Sequence, residues 1–242
     1  MPDALFSHPR LVVVYDVFDG DRDDLDSYVG LADELGAGLV LDIGCGTGSL
    51  AVRLAAGGRS VVGVDPAEAS LEVAESKDGA EAVTWIHGDA TVLPPLGADL
   101  AVMTGNVAQV FLTDDAWAQT LRAVGSALRP GGHLAFETRR PERRAWQEWA
   151  ADTEPVILDV QGVGTVERRQ QVTEVDLPFV SFRYTYRFAS DGAVLTSDST
   201  LRFRTRDEVE SSLSAHGYRV VDIRDAPDRP GREFVFIAER AV

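Results

Sequence analysis

The sequence predicts an α/β protein: a doubly wound, mostly parallel sheet of seven strands with an antiparallel β insertion. Three observations carry this. From residue 39 onward, short β-branched runs alternate with longer stretches whose apolar residues recur at helical spacing, the signature of βαβ units. The first of those runs ends in a glycine-rich turn that leads into a helix. After residue 150 the pattern changes to long strand-like stretches, two of them joined by the turn Ser190-Asp191-Gly192.

Taken in order, strands are expected at Leu39 to Ile43, Ser60 to Val64, Val83 to His87, Ala98 to Met103 and His133 to Glu137. Helices are expected at Ser49 to Ala56, Glu68 to Glu75 and Asp115 to Leu128. The last of these follows the capping pair Thr113-Asp114 and is stopped by Arg129-Pro130-Gly131-Gly132. Gly164 to Val175, Val180 to Ala189 and Ala193 to Arg204 read as strands, and Phe182, Tyr184, Tyr186 and Phe188 share one face of the second. A helix from Asp207 to Ala215 and strands at Tyr218 to Arg224 and Glu233 to Glu239 close the chain. Four segments result: an N-terminal cap over 1–38, a ligand-binding core over 39–150, the insertion over 151–205, and 206–242, which returns to the core sheet. Within the first, two readings stay open: Tyr15-Asp16 and Asp19 to Tyr28 fold over a ligand, with Tyr15 and Tyr28 as its lid, or Asp21 to Leu35 is a plain surface helix.

A chain of 242 residues suffices for one such domain with a substantial core. Its formal charge of −16 and pI near 4.6 argue against partners held by phosphate neutralisation, so neither nucleic acid nor an anionic membrane is expected. The local basic groups Arg139, Arg140, Arg143, Arg144 and Arg168, Arg169 are interspersed with Glu142, Glu148 and Glu167, and read as solvated faces. The single cysteine, Cys45, excludes an intramolecular disulfide. His8, His87, His133 and His216 are scattered without ligand spacing, so no metal site is expected. No run of 18 apolar residues and no leader pattern appear, and a cytoplasmic location is expected. Trp117, Trp146 and Trp149 read as core or interface aromatics.

Chemistry concentrates in Leu39-Val-Leu-Asp-Ile-Gly-Cys-Gly-Thr-Gly-Ser-Leu50. Glycines at 44, 46 and 48 let a ligand approach the backbone at a helix N-terminus. The dinucleotide fingerprint requires its third glycine at position 49, where this chain has Ser49, and Asp42 beside the loop suits a ligand with a cationic ammonium group better than a pyrophosphate. Asp65 ends the next strand in Val61-Val-Gly-Val-Asp-Pro66, where a carboxylate can accept from both hydroxyls of a ribose. Nicotinamide enzymes place an acid there for the same reason. As a nucleophile Cys45 lacks a histidine partner and reads as small loop filler.

With those residues, Val40 to Leu50 resembles motif I of the class I S-adenosylmethionine-dependent methyltransferases. The resemblance continues in order through Asp65 and Pro66, Ile86-His-Gly-Asp-Ala90, Ala98 to Phe111 and Leu128 to Glu137. It implies a Rossmann-like methyltransferase fold whose last strand runs antiparallel, with S-adenosyl-L-methionine as cofactor. It implies a cofactor site of Asp42, Gly44, Cys45, Gly46, Gly48, Asp65, Pro66, Asp89, Ala90, Thr104, Gly105 and Asn106. Asp42 would support the amino group, Asp89 and the Ala90 amide would read adenine, and Thr104 to Asn106 would lie beside the reactive methyl. A nitrogen, oxygen or carbon of a small-molecule acceptor would attack that methyl in line, and the arrangement after residue 150 is loosely similar to sugar and glycine-type N-methyltransferases. No catalytic residue is fixed; the candidates are Asn106, Tyr15 and His87, the last at a strand C-terminus where ligands bind. The insertion would wall the acceptor pocket or join two copies in a homodimer. A nicotinamide-dependent oxidoreductase and a non-catalytic binding module are the rival readings.

Overall fold

The structure is a computed structural model that describes residues 2–241. The chain begins with helices α1 (Ala4–Ser7), α2 (Pro9–Asp19) and α3 (Asp24–Glu34). Helix α2 opens where proline occupies its first turn and His8 Nδ1 accepts from Arg10 N at 3.1 Å, and it ends at Gly20 in a left-handed conformation. Helix α3 is a core helix rather than a plain surface one: Leu25, Tyr28, Leu31 and Ala32 form one buried stripe against the main sheet.

Strands β1 (Leu39–Ile43), β2 (Ser60–Asp65), β3 (Val83–His87), β4 (Ala98–Met103) and β5 (Leu128–Arg139) alternate with α4 (Ser49–Ala56), α5 (Glu68–Glu75) and α6 (Asp114–Ala127). After β5 come α7 (Ala145–Ala151), four strands β6 (Val156–Val160), β7 (Gly164–Asp176), β8 (Phe179–Phe188) and β9 (Val194–Arg202), then α8 (Arg206–Ala215), β10 (Tyr218–Asp225) and β11 (Glu233–Arg240). The main sheet has the order β10-β11-β5-β4-β1-β2-β3. Strands β1 to β5 are parallel, and β11 runs antiparallel to both β5 and β10. Helices cover both faces. One side packs Leu121, Val124 and Leu213 on Phe136 and Met103; the other packs Leu25, Tyr28, Leu50 and Leu54 on Val40 and Val102. The α/β prediction therefore holds, with seven strands.

Most boundaries agree to within two residues, and the start of β5 differs by more. Arg129-Pro130-Gly131-Gly132 does not separate helix from strand but lies inside β5, because Leu128 already turns extended at φ −76°, ψ 151°. The extra residues are absorbed as an irregularity between the Ala98 and Leu100 pairs of β4 with β5.

Strands β6 to β9 form a separate antiparallel sheet in sequential order. Its first strand, β6, and the preceding helix α7 carry no strong sequence pattern and add to the elements that the sequence predicts. The inner face of this sheet shows Phe182, Tyr184, Tyr186 and Phe188 as the alternation requires. Its two ends are covered differently. Leu5, Leu11, Val14 and Phe18 of the N-terminal helices pack on Tyr186, Phe188, Val166 and Val160, while Trp146 of α7 packs with Phe182, Leu201 and Phe203. Polar contacts reinforce the first: Leu5 N donates to Ser197 Oγ at 2.8 Å, and Ser199 Oγ donates to Asp3.

Phe188 should therefore hold the N-terminal helices in place. Phe188→Ala removes a ring that is 1% exposed and lies under the Arg10 guanidinium at 4.1 Å. The expected loss is about 3–5 kcal/mol in urea denaturation, with early proteolytic cleavage inside residues 4–19. A loss below about 1 kcal/mol with an uncut N-terminus would show that the sheet does not anchor these helices.

Candidate functional site

The strand order sets the place. From β1 the chain moves outward to β2 and β3, then returns to β4 on the other side of β1, so the loops after β1 and β4 diverge and open a crevice. Their residues are nonetheless close: a Cβ at Gly44 would lie 2.7 Å from Val107.

The glycine loop is shaped by its neighbours. Gly44, Gly46 and Gly48 all have φ between 53° and 76°. At Gly48 a Cβ would sit 2.5 Å from the Trp85 ring, so that glycine serves packing, whereas a Cβ at Gly46 would meet nothing within 4 Å and faces open space. Gly44 N donates to Val64 O at 2.8 Å, and Gly46 N donates to Asp65 Oδ2 at 2.8 Å. The other oxygen of Asp65 accepts from Ala67 N at 2.8 Å. This carboxylate is 7% exposed and ties the two loops together. Burial pushes it up, and the amides of Ala67 and Gly46 oppose that.

Asp42 is different. It is 1% exposed, its Oδ1 has no partner among the described residues, and burial with the nearby Asp65 charge pushes its carboxyl up to about 7. Cys45 is pushed up as well, by burial and then by Asp42 and Asp65, which fits a loop filler and not a nucleophile. Asp89 accepts from Thr91 N at 2.8 Å and begins the short turn Ala90–Val92, with Ala90 buried beneath it. His87 is exposed, and its Nε2 meets Pro66 O at 3.2 Å, which sets it against the exposed Pro66.

After β4, Thr104 is half-buried, Gly105 exposed and Asn106 buried at φ 63°. Sequence reading missed what holds this loop. Glu137, near the end of β5, accepts from Gly105 N at 2.8 Å and Asn106 N at 3.2 Å through Oε1, and from Tyr28 Oη at 2.7 Å through Oε2. Burial and the Glu233 charge push Glu137 up; the Tyr28 hydroxyl opposes them. Asn106 Nδ2 donates to Glu233 Oε1 at 3.2 Å, leaving Asn106 Oδ1 and Glu233 Oε2 without partners among the described residues. Arg229 reaches Glu233 at 2.9 Å and Arg139 at 3.6 Å. The one available signal was an acid at a strand C-terminus in Phe136-Glu137-Thr138.

Helix α2 crosses the glycine loop. Thr47 Oγ1 donates to Asp16 Oδ1, and Lys77 bridges Asp16 at 2.6 Å and Ser49 Oγ at 2.8 Å. Tyr15 on this helix packs edge-on against Phe6 and is pushed up by burial. The three catalytic candidates are thus not gathered. Asn106 lies in the loop after β4, Tyr15 stands on α2, and His87 on edge strand β3 is three strand spacings, about 14 Å, from β4. The arginines differ too from solvated faces: Arg139 is largely buried against Trp149, and Arg168 turns inward beneath Phe18.

What this edge offers is a crevice with an open glycine loop, an unpaired buried carboxylate at its base and the acids Asp65 and Asp89 along one wall. The comparisons with known proteins agree with it. Residues 40–132 match the methyltransferase-domain family. An uncharacterised methyltransferase of Oceanobacillus iheyensis is 31% identical over 40% of this chain and 45% of its own length. The chain thus spans about half the length of such a relative. Among solved structures, an S-adenosylmethionine-dependent methyltransferase from Clostridium acetobutylicum superposes with a TM-score of 0.77 at 17% identity, covering 96% of this chain and 97% of that one. An S-adenosylmethionine-bound amino pentose methyltransferase from Micromonospora echinaspora does so with 0.71 at 22% identity, covering 93% and 97%. Residues 40–132 thus carry the sequence pattern of a methyltransferase domain, and the chain has the Rossmann-like fold of S-adenosylmethionine-dependent methyltransferase structures.

The unpaired carboxyl has a consequence for stability. Folded Asp42 keeps its proton to about pH 7, while the unfolded chain releases it near 4. Between these values the folded state binds more protons, so this group favours folding at the acid end and its contribution is lost as pH rises towards 7. Asp42→Asn should remove that loss. Measured by urea denaturation, the variant should gain on the parent between pH 4.5 and 7.5, on the order of 3 kcal/mol. Parallel pH profiles for the two proteins would show that Asp42 is ionised throughout.

Proposed function

We propose that this protein transfers the methyl group of S-adenosyl-L-methionine to a small-molecule acceptor. The observation that carries the reading is Asp42: a buried carboxylate oxygen without a donor at the foot of the glycine loop suits the cationic ammonium of the cofactor's methionine end. When bound, the cofactor supplies a methyl group already activated on a sulfonium.

The chain's residues then have distinct tasks. The backbone of Gly44, Cys45, Gly46 and Gly48 lets the methionine part approach at the start of α4, where amide donors point outward. Asp65, with lone pairs left beside its two amide bonds, accepts from the ribose hydroxyls, and Pro66 lines that side. Asp89 and Ala90 take the adenine edge. Thr104, Gly105 and Asn106 flank the methyl, and Glu137 fixes their backbone by its two amide bonds. Holding the acceptor lone pair in line with the leaving sulfur supplies most of the rate, so positioning matters more than a dedicated base. Helices α1 to α3 serve as the cap, residues 39–150 as the cofactor core, and the antiparallel sheet as the wall of the acceptor chamber.

The net charge of −16 supports an acceptor that is neither nucleic acid nor membrane. No helix among the described residues is long and apolar enough to cross a membrane. We read the site of action as the cytoplasm. The amino pentose methyltransferase named above supports a small-molecule acceptor.

Calorimetry should give one site per chain for S-adenosylhomocysteine, with NAD bound far more weakly. Asp42→Asn should weaken S-adenosylhomocysteine at least tenfold, about 1.4 kcal/mol, and leave adenosine unchanged. Asp65→Ala should weaken both about tenfold to a hundredfold. It should also destabilise the free protein by about 1–3 kcal/mol, since the Gly46 and Ala67 amides lose their acceptor. Preference for NAD would overturn the reading.

A further inference from the structure

The inner face of the antiparallel sheet is not uniformly covered. The N-terminal helices close one end and α7 the other, and Tyr184 is the aromatic that borders both clusters without being buried in either. At this seam stand two arginines from opposite sides. Arg168 of β7 pairs in register with Tyr186, on the face where Val166 is buried. Its guanidinium carbon lies 4.9 Å from the Phe18 ring and 5.2 Å from the Tyr184 ring. Arg139, at the end of β5 in the main sheet, donates to Gln109 Oε1 at 3.1 Å and lies 5.1 Å from the Trp149 ring.

Their charges are differently balanced from those around them. Asp19 is taken by Arg22 at 2.6 Å, and Glu233 is held chiefly by Arg229 at 2.9 Å, leaving Arg139 at 3.6 Å. Arg168 has no carboxylate within 4.0 Å among the described residues; it donates to Phe18 O at 3.4 Å and faces the Tyr186 hydroxyl, whose burial-raised pKa its charge opposes. Burial raises the Tyr184 phenol, and the charges that oppose this are those of Arg168 and Arg139, as expected if both face it. In a chain of net charge −16, two guanidiniums turned inward over aromatic rings, one of them unpaired, form a local positive site that the surface as a whole does not have.

We propose that this seam receives an anionic group of a ligand, a carboxylate or a phosphate, and that Arg168, with Arg139 opposite, holds it beside the Tyr184 ring. The planar guanidinium suits both oxyanions through paired N–H donors, and Phe18 and Tyr184 flank it and displace part of its water, which strengthens the contact. The anion would lie at the seam between the two sheets, on the acceptor side of the crevice, away from the adenine segment on β3. Calling this ligand the methyl acceptor rests on the methyltransferase reading; the anion site itself does not.

The test is calorimetry on the full chain saturated with S-adenosylhomocysteine, titrated at constant ionic strength with inorganic pyrophosphate and, separately, with succinate. At least one should bind saturably at one site per chain, and the stronger of the two identifies phosphate or carboxylate as the preferred group. Arg168→Leu should weaken it about tenfold or more, Arg168→Lys should restore part of the affinity, and both variants should bind S-adenosylhomocysteine within about twofold of the parent. No saturable binding of either anion to the parent overturns the proposal. So does an Arg168→Leu variant that melts earlier but binds the anion as the parent does, since Arg168 then only packs against Phe18. Failure of the parent to bind S-adenosylhomocysteine defeats the methyltransferase reading instead, and the anion titration of the free protein still decides the site.

Discussion

Four carboxylates, Asp42, Asp65, Glu137 and Glu233, are each at most 7% exposed at one end of the main sheet, and the site is organised around what their burial demands. A carboxylate removed from water needs donors or a cation, or it keeps its proton. Asp65 obtains two backbone amides and thereby joins the loops after β1 and β2. Glu137 obtains two amides and a tyrosine hydroxyl, fixing the loop after β4 to a helix that begins over a hundred residues earlier in the chain. Glu233 obtains Arg229 and Asn106. Asp42 obtains nothing for Oδ1 among the described residues, which makes it the position where an incoming cation changes most.

The same constraint explains the layers outside the sheet. Acids near the crevice stay buried only if water is kept out, and α2 and α3 do this on one side. Asp16, Thr47, Lys77 and Ser49 fasten α2 to the glycine loop. These helices are themselves steadied by the antiparallel sheet, through Phe18, Tyr186 and Phe188. On the other side Arg204, with no acid partner among the described residues, donates to the carbonyls of Ala108 and Phe111 and binds the loop after β4 to the segment that follows β9. Burial lowers its pKa to about 10. Insertion and core are therefore joined through the loops that border the crevice.

The sequence by itself determined the parallel strands, the glycine loop and the aromatic face of β8, because each rests on spacing within one element: alternation of two for strands, 3.6 for helices, and glycine where a Cβ would collide. It also placed Asp42, Asp65 and Asp89 on one edge, since strand ends of a parallel sheet share a side. Tertiary structure alone decided the rest. Arg139 and Arg168 look like solvated charges in sequence, and only the packing of Trp149 and Phe18 above them turns them inward. Tyr28 looked equally like lid or surface until Glu137, 109 residues away, supplied its acceptor. Burial and pairing are relations between distant segments, and a local pattern carries no record of which partner will arrive.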